Sequence, residues 1–179
     1  MKLDYYKVAE IVIKANEKGL LAIANHNSEQ QIVITGIEEP MKYAMEMVKE
    51  VKGRAIPLKV SGAWHCDLMK DAVEEFRAYM EDIPFSKPES AMLFNATAGV
   101  EDDPEKIRDI MANQLISPVK WYDIILNMIS EGIDTYVDVG PQKQMMGLIG
   151  RILPKDSSAV KCSVEDVESL EKFITGAGS

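Results

Sequence analysis

The sequence predicts an α/β protein in two parts, an incomplete α+β subdomain in residues 1–60 and an α/β part in residues 61–179. Segments with apolar residues at helical spacing alternate with short apolar runs. Gly and Pro residues separate many of these segments. Hydrophobic residues make up 46% of the chain and charged residues 27%, which is typical of a folded globular protein.

Two helices are predicted in the first part. One covers residues 5–18, with Asp4 suited to cap its start and Gly19 to end it. The other begins at Pro40, a residue favoured in the first turn of a helix, and ends at Gly53. Each helix carries an apolar stripe at helical spacing, which we expect to be buried.

Three apolar runs of the first part are predicted to be strands, and they cover residues 20–24, 31–35 and 54–60. The polar residues 25–29 between the first two runs are typical of a turn. The resulting order, α-β-β-α-β, is that of a ferredoxin-like β-α-β-β-α-β unit without its first strand. A missing strand leaves an unpaired sheet edge, so we expect this chain to begin late in its fold.

The second part alternates predicted helices with strands, which indicates a parallel sheet covered by helices. Helices are predicted over residues 68–83, 104–115, 118–131, 142–153 and 163–174. Strands are predicted over residues 91–96, 135–139 and, less regularly, 159–162. So few strands cannot close a parallel core, so we expect the sheet to continue in a separate segment.

Composition excludes several classes of function. A net charge of −9 and a pI of about 4.8 disfavour binding to nucleic acid or to an anionic membrane surface. Two cysteines give no disulfide framework, and no apolar run approaches the length of a membrane span. The first residues do not resemble a signal peptide, so a cytoplasmic protein is expected.

His65 is the strongest candidate for chemistry, and it is one of only two histidines. It follows the predicted strand over residues 54–60 and precedes a predicted helix. A side chain on such a loop is held by rigid elements and remains reachable, as proton transfer requires. A single histidine in this setting is nevertheless more often structural than functional.

The neighbours of His65 suggest no second chemistry. Adjacent residues on an extended segment point in opposite directions, so we expect Cys66 to be a small buried residue rather than a thiol activated by His65. Asp67 and Asp71 follow closely, but carboxylates are common at a helix start because of the helix dipole. We therefore predict no metal site and no cofactor.

Four stretches, in order along the chain, resemble the malonyl-CoA:acyl carrier protein transacylases. They are Asn25-His26-Asn27-Ser28 with Gln31 to Gly36, Ile56 to His65, Gln114-Leu115-x-Ser117-Pro118-Val119-x-Trp121, and Asp138-Val139-Gly140-Pro141 with Gly147 to Ile152. The first stretch is similar to the family's Asn-x-Asn-Ser segment, and the second to the sequence around its catalytic histidine. The matches together run from about residue 3 to about residue 152, so they cover most of the chain.

Three features of that family are absent from this sequence. It has no Gly-x-Ser-x-Gly motif for the nucleophilic serine, no early Gly-Gln-Gly oxyanion loop, and no counterpart of the arginine that holds the malonyl carboxylate. The resemblance therefore implies the C-terminal portion of a truncated enzyme. Its fold would be the small ferredoxin-like subdomain in residues 1–60 and the C-terminal part of an α/β-hydrolase-like core in residues 61–179.

The resemblance also implies roles for particular residues. His65 would be the general base, and the main-chain carbonyl of Gln114, 49 residues later, would orient its ring. Asn25 and Asn27 would line the acyl pocket through their amides, although turn chemistry explains them equally well. His26 lies between them and is expected to face solvent. Trp64 would contact the acyl group, at a position where the family usually has Phe.

The implied function is malonyl transfer in fatty acid biosynthesis, from malonyl-CoA to the acyl carrier protein through a malonyl-serine. The isolated chain would be inactive, and it would need the missing N-terminal half or self-association. One alternative is an acyltransferase or thioester hydrolase domain of a polyketide pathway, which an apolar residue in place of the arginine would favour. Another is a non-catalytic protein-binding module, which a buried His65 without a partner would favour.

Overall fold

The computed structural model describes residues 3–176, and in this range it contains seven α-helices and four β-strands. This mixture confirms the predicted α/β class. The chain divides into two compact units, Met1–Ile124 and Ile125–Ser179. Within residues 3–176, each helix is too short or too polar to span a lipid bilayer.

The first unit consists mainly of helices, with one antiparallel pair of strands. Its elements are α1 (Tyr5–Ala15), β1 (Leu21–Ser28), β2 (Gln31–Gly36), α2 (Glu38–Glu50), α3 (Asp71–Glu81), α4 (Pro104–Asn113) and the start of α5 (Trp121–Ser130). Short 3-10 turns cover Asn16–Lys18 and Asp67–Met69. The predicted helices of this unit are therefore present, with ends that differ by a few residues.

Local capping explains why the first helix and strand lie where they do. The Asp4 carboxylate accepts a hydrogen bond from the Lys7 backbone N–H at 2.8 Å, so it caps α1 as predicted. The helical path ends before Gly19, whose φ of +128° suits a glycine. The Asn16 amide then bonds both the N–H and the carbonyl of Leu21, at 2.7 Å each, and fixes the start of β1.

The core of this region lies among α1, β1 and α2. Its buried residues are Ile11, Val12, Ala15, Leu21, Ala44 and Val48. Five of them come from the apolar stripes of α1 and α2, and Leu21 comes from β1. Burial of the stripes therefore holds both helices together.

The predicted turn over residues 25–29 is wrong, because β1 continues to Ser28 and the turn itself lies at residues 29–30. Polar residues continue the strand here since both of its edges are occupied. Asn25 pairs with Val33 of β2 on one side and forms a parallel bridge to Val119 on the other. Register shifts on both sides of His26 show that this end of β1 is irregular.

The predicted strand over residues 54–60 is absent from the structure. Its apolar side chains are largely exposed, with 61% for Ile56, 59% for Leu58 and 64% for Val60. A strand exists only when a neighbour takes its hydrogen bonds, and no strand of the described residues lies beside this segment. The order α-β-β-α is present, and the ferredoxin-like assignment stays a prediction.

The predicted strand over residues 91–96 is reduced to one antiparallel bridge between Leu93 and Val100. The backbone turns immediately after it, since the Ala98 N–H bonds the Phe94 carbonyl at 2.8 Å. Ala98 has a φ of +58°, which a continuing strand does not allow. This tight turn ends the pairing after a single bridge.

The predicted division after residue 60 does not coincide with the boundary between the compact units. Backbone hydrogen bonds join β1 to Val119, so these parts of the chain share the unit Met1–Ile124. The division itself stays a prediction about parts of a larger fold. The terminal residues 1–2 and 177–179 of the predicted parts lie outside the described range.

The second unit contains β3 (Thr135–Val139), α6 (Gln144–Ile152), β4 (Val160–Val164) and α7 (Val167–Ile174), after the end of α5. β3 and β4 pair in parallel, which confirms both strand predictions here. Asp166 and Ser169 form a capping box at the start of α7. The hydrogen bonds from Ser169 lower the pKa of the Asp166 carboxyl.

Arg108 of α4 joins two helices of the first unit. Its Nη1 donates to the carbonyls of Met80 and Glu81, at 2.9 and 3.2 Å, at the end of α3. The guanidinium also lies 4.9 Å from the centre of the Phe85 ring. A cation at a helix C-terminus satisfies carbonyls that have no partner within the helix. Arg108 therefore fastens α3 to α4.

We expect Arg108→Ala to lower the free energy of unfolding by about 2 kcal/mol, because two helix carbonyls lose a charged donor. Arg108→Lys should recover only part of this loss, since an ammonium lacks the planar fork of donors. Urea unfolding followed by circular dichroism measures both changes. Arg54→Ala, which removes an exposed arginine, is the matched control. Equal stability of the Arg108 and Arg54 variants would show that Arg108 does not fasten the helices.

Candidate active site

His65 lies in the first unit, between residues 54–60, which have no regular secondary structure, and the 3-10 turn Asp67–Met69. Its backbone is left-handed, with a φ of +64°, which is unusual for a residue other than glycine. Its N–H donates to the Leu115 carbonyl at 3.0 Å, and this bond helps to hold the conformation. A strained backbone conformation of this kind is found preferentially at functional sites.

The ring of His65 is held by two main-chain carbonyls. Nδ1 lies 3.1 Å from the oxygen of Gln114 and 3.1 Å from the oxygen of Ser117. A carbonyl only accepts hydrogen bonds, so Nδ1 must carry the proton that both oxygens share. In the neutral ring the lone pair is then on Nε2, the nitrogen that can take a proton.

The predicted bond between His65 and Gln114 is therefore present. The Ser117 carbonyl was not predicted as a second acceptor. Its position depends on the turn that follows α4, and sequence spacing does not define that turn. The catalytic role of His65 and Gln114 stays a prediction, now with the geometry that it requires.

The residues that hold His65 form one short piece of chain, residues 114–119, which we call the carbonyl segment. Its first end continues α4, where the Gln114 N–H bonds the Ile110 carbonyl at 2.9 Å. Its last residue is bonded to β1 in both directions. The Val119 N–H donates to Ala24, and the Val119 carbonyl accepts from the His26 N–H, both at 2.8 Å. The segment is thus fixed at both ends.

The structure brings Asn25 to this segment and leaves the role of the other predicted pocket residues open. Asn25 bridges Val119 through its backbone, and Asn27 lies two residues further along β1. Both are half-buried on a strand rather than in a turn. Trp64 is 45% exposed, and its ring lies against Gly62. Contact of these three side chains with an acyl group stays a prediction.

Cys66 is a small buried residue, as predicted. Its side chain is buried, with 2% exposure, and its Sγ donates to the Ala63 carbonyl at 3.3 Å. A thiol bonded to the main chain in this way helps to shape the turn that carries His65. Among residues 3–176, no three His, Cys, Asp or Glu side chains are grouped so that they could hold a metal ion.

His26 is a feature that the sequence did not reveal, since a solvent-facing ring was expected at this position. The ring lies between two tyrosines, with centroids 4.7 Å from Tyr5 and 4.6 Å from Tyr122. Its Nε2 is buried without a hydrogen-bond partner. Burial lowers the pKa of His26, and the nearby Asp123 opposes this only in part. No local sequence signal joins residues 5, 26 and 122.

Comparison with known proteins assigns the chain to a family. Residues 7–170 match the family described as "Acyl transferase domain". A malonyl CoA-acyl carrier protein transacylase of Bacillus subtilis is 32% identical over 174 residues, which cover 96% of this chain and 54% of the relative. One of Haemophilus influenzae is 34% identical over 176 residues, or 96% of this chain and 55% of the relative.

Solved structures that resemble this chain belong to the same kind of enzyme. A malonyl CoA-acyl carrier protein transacylase from Clostridium perfringens is 32% identical and has a TM-score of 0.90, with 99% of this chain and 55% of that chain covered. A complex of a malonyl-transacylase with a type II PKS acyl carrier protein is 28% identical, with a TM-score of 0.88 over 97% of this chain and 56% of that chain. The chain thus spans about half the length of these relatives.

A pair of substitutions tests the left-handed backbone at His65. His65→Gly should be more stable than His65→Ala by about 1 kcal/mol, because both remove the ring but only alanine keeps the steric cost of a positive φ. Urea unfolding of the two variants measures the difference.

The matched pair is Glu46→Ala and Glu46→Gly, on the exposed face of α2. There the order should reverse, since glycine costs about 1 kcal/mol relative to alanine inside a helix. The same order at both positions would contradict the left-handed conformation of His65.

Proposed function

This chain belongs to the acyl transferase domain family, and on that basis we propose that it supplies the general base of a malonyl-CoA:acyl carrier protein transacylase. The observation that carries the proposal is the bond from His65 Nδ1 to the carbonyls of Gln114 and Ser117. It leaves the Nε2 lone pair available to accept a proton. A positioned imidazole is the side chain that most often serves as a general base in enzymes.

The proposed reaction proceeds in two half-reactions. Nε2 of His65 accepts the proton of a serine hydroxyl as its oxygen attacks the thioester carbonyl of malonyl-CoA. The tetrahedral intermediate collapses, the C–S bond breaks, and the coenzyme A thiolate leaves with the proton from the imidazolium. In the second half-reaction His65 accepts the proton of the carrier protein's phosphopantetheine thiol as its sulfur attacks the malonyl-serine ester. The C–O bond of the ester then breaks, and the imidazolium returns the proton to the serine oxygen.

The serine of this mechanism must come from a segment other than this sequence, which has no Gly-x-Ser-x-Gly motif. We propose that an N-terminal half of the same enzyme supplies it, together with the oxyanion donors and the carboxylate-binding arginine. Self-association of this chain is the alternative assembly. The exposed apolar side chains of Ile56, Leu58 and Val60 are consistent with a partner along residues 54–60.

Within this proposal, Asn25, Asn27 and Trp64 line the acyl pocket beside His65. Malonyl-CoA is the first substrate and the acyl carrier protein the second, and the reaction requires no further cofactor. A cytoplasmic location fits a chain with only two cysteines, which give no disulfide framework.

A polyketide pathway is a second candidate, because one structural relative is a malonyl-transacylase in complex with a type II PKS acyl carrier protein. Transfer to carrier proteins of each kind separates the two pathways. Hydrolysis of the acyl-enzyme in place of transfer would identify a thioester hydrolase. A non-catalytic binding module is disfavoured by the bonded ring of His65, since a structural histidine does not need a free Nε2.

The chain by itself should form no covalent acyl-enzyme, because its sequence lacks the Gly-x-Ser-x-Gly motif of an activated serine. We expect radiolabelled malonyl-CoA to leave no acid-stable label on the purified chain. Scintillation counting after precipitation, followed by peptide mapping, provides the measurement. A label on Cys66 or on any serine of this chain would show that the nucleophile lies within it.

Activity should return when the chain is mixed with the N-terminal half of a related transacylase that carries the serine. His65→Gln should then lower kcat by about 100-fold to 10,000-fold, which is typical of a lost general base. The assay follows labelled malonyl transfer to the carrier protein. Tyr79→Phe, at an exposed position, is the matched control. A restored activity that His65→Gln leaves unchanged would exclude His65 as the base.

A further inference from the structure

The environment of His26 is unusual for a histidine that lies outside the candidate active site. Its ring lies between Tyr5 of α1 and Tyr122 of α5, with both ring centroids less than 5 Å away. The Nε2 atom is buried and has no hydrogen-bond partner. A buried nitrogen without a partner is costly in free energy, so other contacts of His26 must offset this cost.

The contacts of His26 join β1 to the carbonyl segment and to the residues just after it. Its backbone N–H donates to the carbonyl of Val119, the last residue of the carbonyl segment, at 2.8 Å. Its ring packs against Tyr122, three residues further along the same piece of chain. His26 therefore holds this piece at two points, once through the main chain and once through the ring. The other end of the segment continues α4 and presents its carbonyls to His65.

We propose that His26 is a positioning residue for His65. It joins the Val119 end of the carbonyl segment to β1 through its backbone N–H, and it packs its ring against Tyr122, just beyond that end. We call this pair of contacts the clamp. The value of this clamp for catalysis depends on the proposed role of His65 as general base. The existence of the clamp does not depend on that role. The clamp links His26, through the carbonyl segment, to Leu115, whose carbonyl accepts the hydrogen bond from the His65 N–H.

The clamp should be sensitive to acid. Burial lowers the pKa of His26 below its ordinary value near 6.5, while Asp123 opposes this in part. The groups facing the ring are Tyr5 from α1 and Tyr122 with Asp123 from α5, and the residue opposite on β2 is Ile32, which carries no charge. A lowered pKa means that the unfolded or opened form binds protons more readily. The clamp is therefore fully stable above about pH 6.5 and weakens as the pH falls toward the pKa of the folded form.

Hydrogen exchange monitored by NMR on the chain tests this link without any activity assay. The measured quantities are the protection factors of the Val119 and His65 amides, each relative to amides inside α2. In the wild type we expect both relative factors to fall severalfold between about pH 7 and about pH 5, since the clamp opens locally. His26→Phe keeps the stacked ring and removes the titrating nitrogens, so its relative factors should stay constant over this range.

His26→Ala removes the ring, so both relative protection factors should fall by about tenfold even at neutral pH. Tyr79→Ala, which removes an exposed ring, is the control and should change neither. Unchanged factors in His26→Ala, or the same acid response in wild type and His26→Phe, would overturn the proposal. Should His26→Ala fail to fold, the comparison of wild type with His26→Phe decides alone. The protection factors could respond as described while His65→Gln leaves the complemented activity unchanged. That result would overturn the proposed function but not the clamp.

Discussion

The main-chain carbonyls of residues 114–119 are the constraint on which the candidate site depends. Two of them fix the His65 ring, and the Leu115 carbonyl fixes its backbone in a left-handed conformation. Carbonyls have no proton to give, so they determine the tautomer of the ring as well as its direction. A carboxylate in their place would add a charge, whereas carbonyls orient the imidazole without one. The path of the backbone in this segment therefore determines which nitrogen of His65 can accept a proton.

Much of this arrangement could be predicted from the sequence, because its parts are marked by local signals. Asp4 caps α1 as its position indicates, since a cap needs only the next few residues. The bond between His65 and Gln114 followed from two motifs of a resembled family. The Ser117 carbonyl and the stacking of His26 did not follow, because they depend on contacts between distant segments that no local pattern records.

The strand predictions are limited in the same way, because local composition does not reveal whether a segment has a partner to pair with. Residues 54–60 and 91–96 have the composition of strands, but a strand also needs a partner for its backbone groups. The first segment has none among the described strands, and the second turns back after one bridge. Residues 25–28 are polar and nonetheless form part of β1, because β2 and Val119 take their hydrogen bonds. Pairing, rather than composition, decided each case.

The tautomer of His65 in the wild-type chain is the most direct test of this account. Long-range ¹H–¹⁵N NMR distinguishes the two nitrogens of each ring, and with only two histidines the signals can be assigned through His26→Phe. At a pH where the ring is neutral, the account predicts a proton on Nδ1 and a free lone pair on Nε2. A neutral ring with its proton on Nε2 would contradict it, because neither carbonyl could then accept a bond from Nδ1.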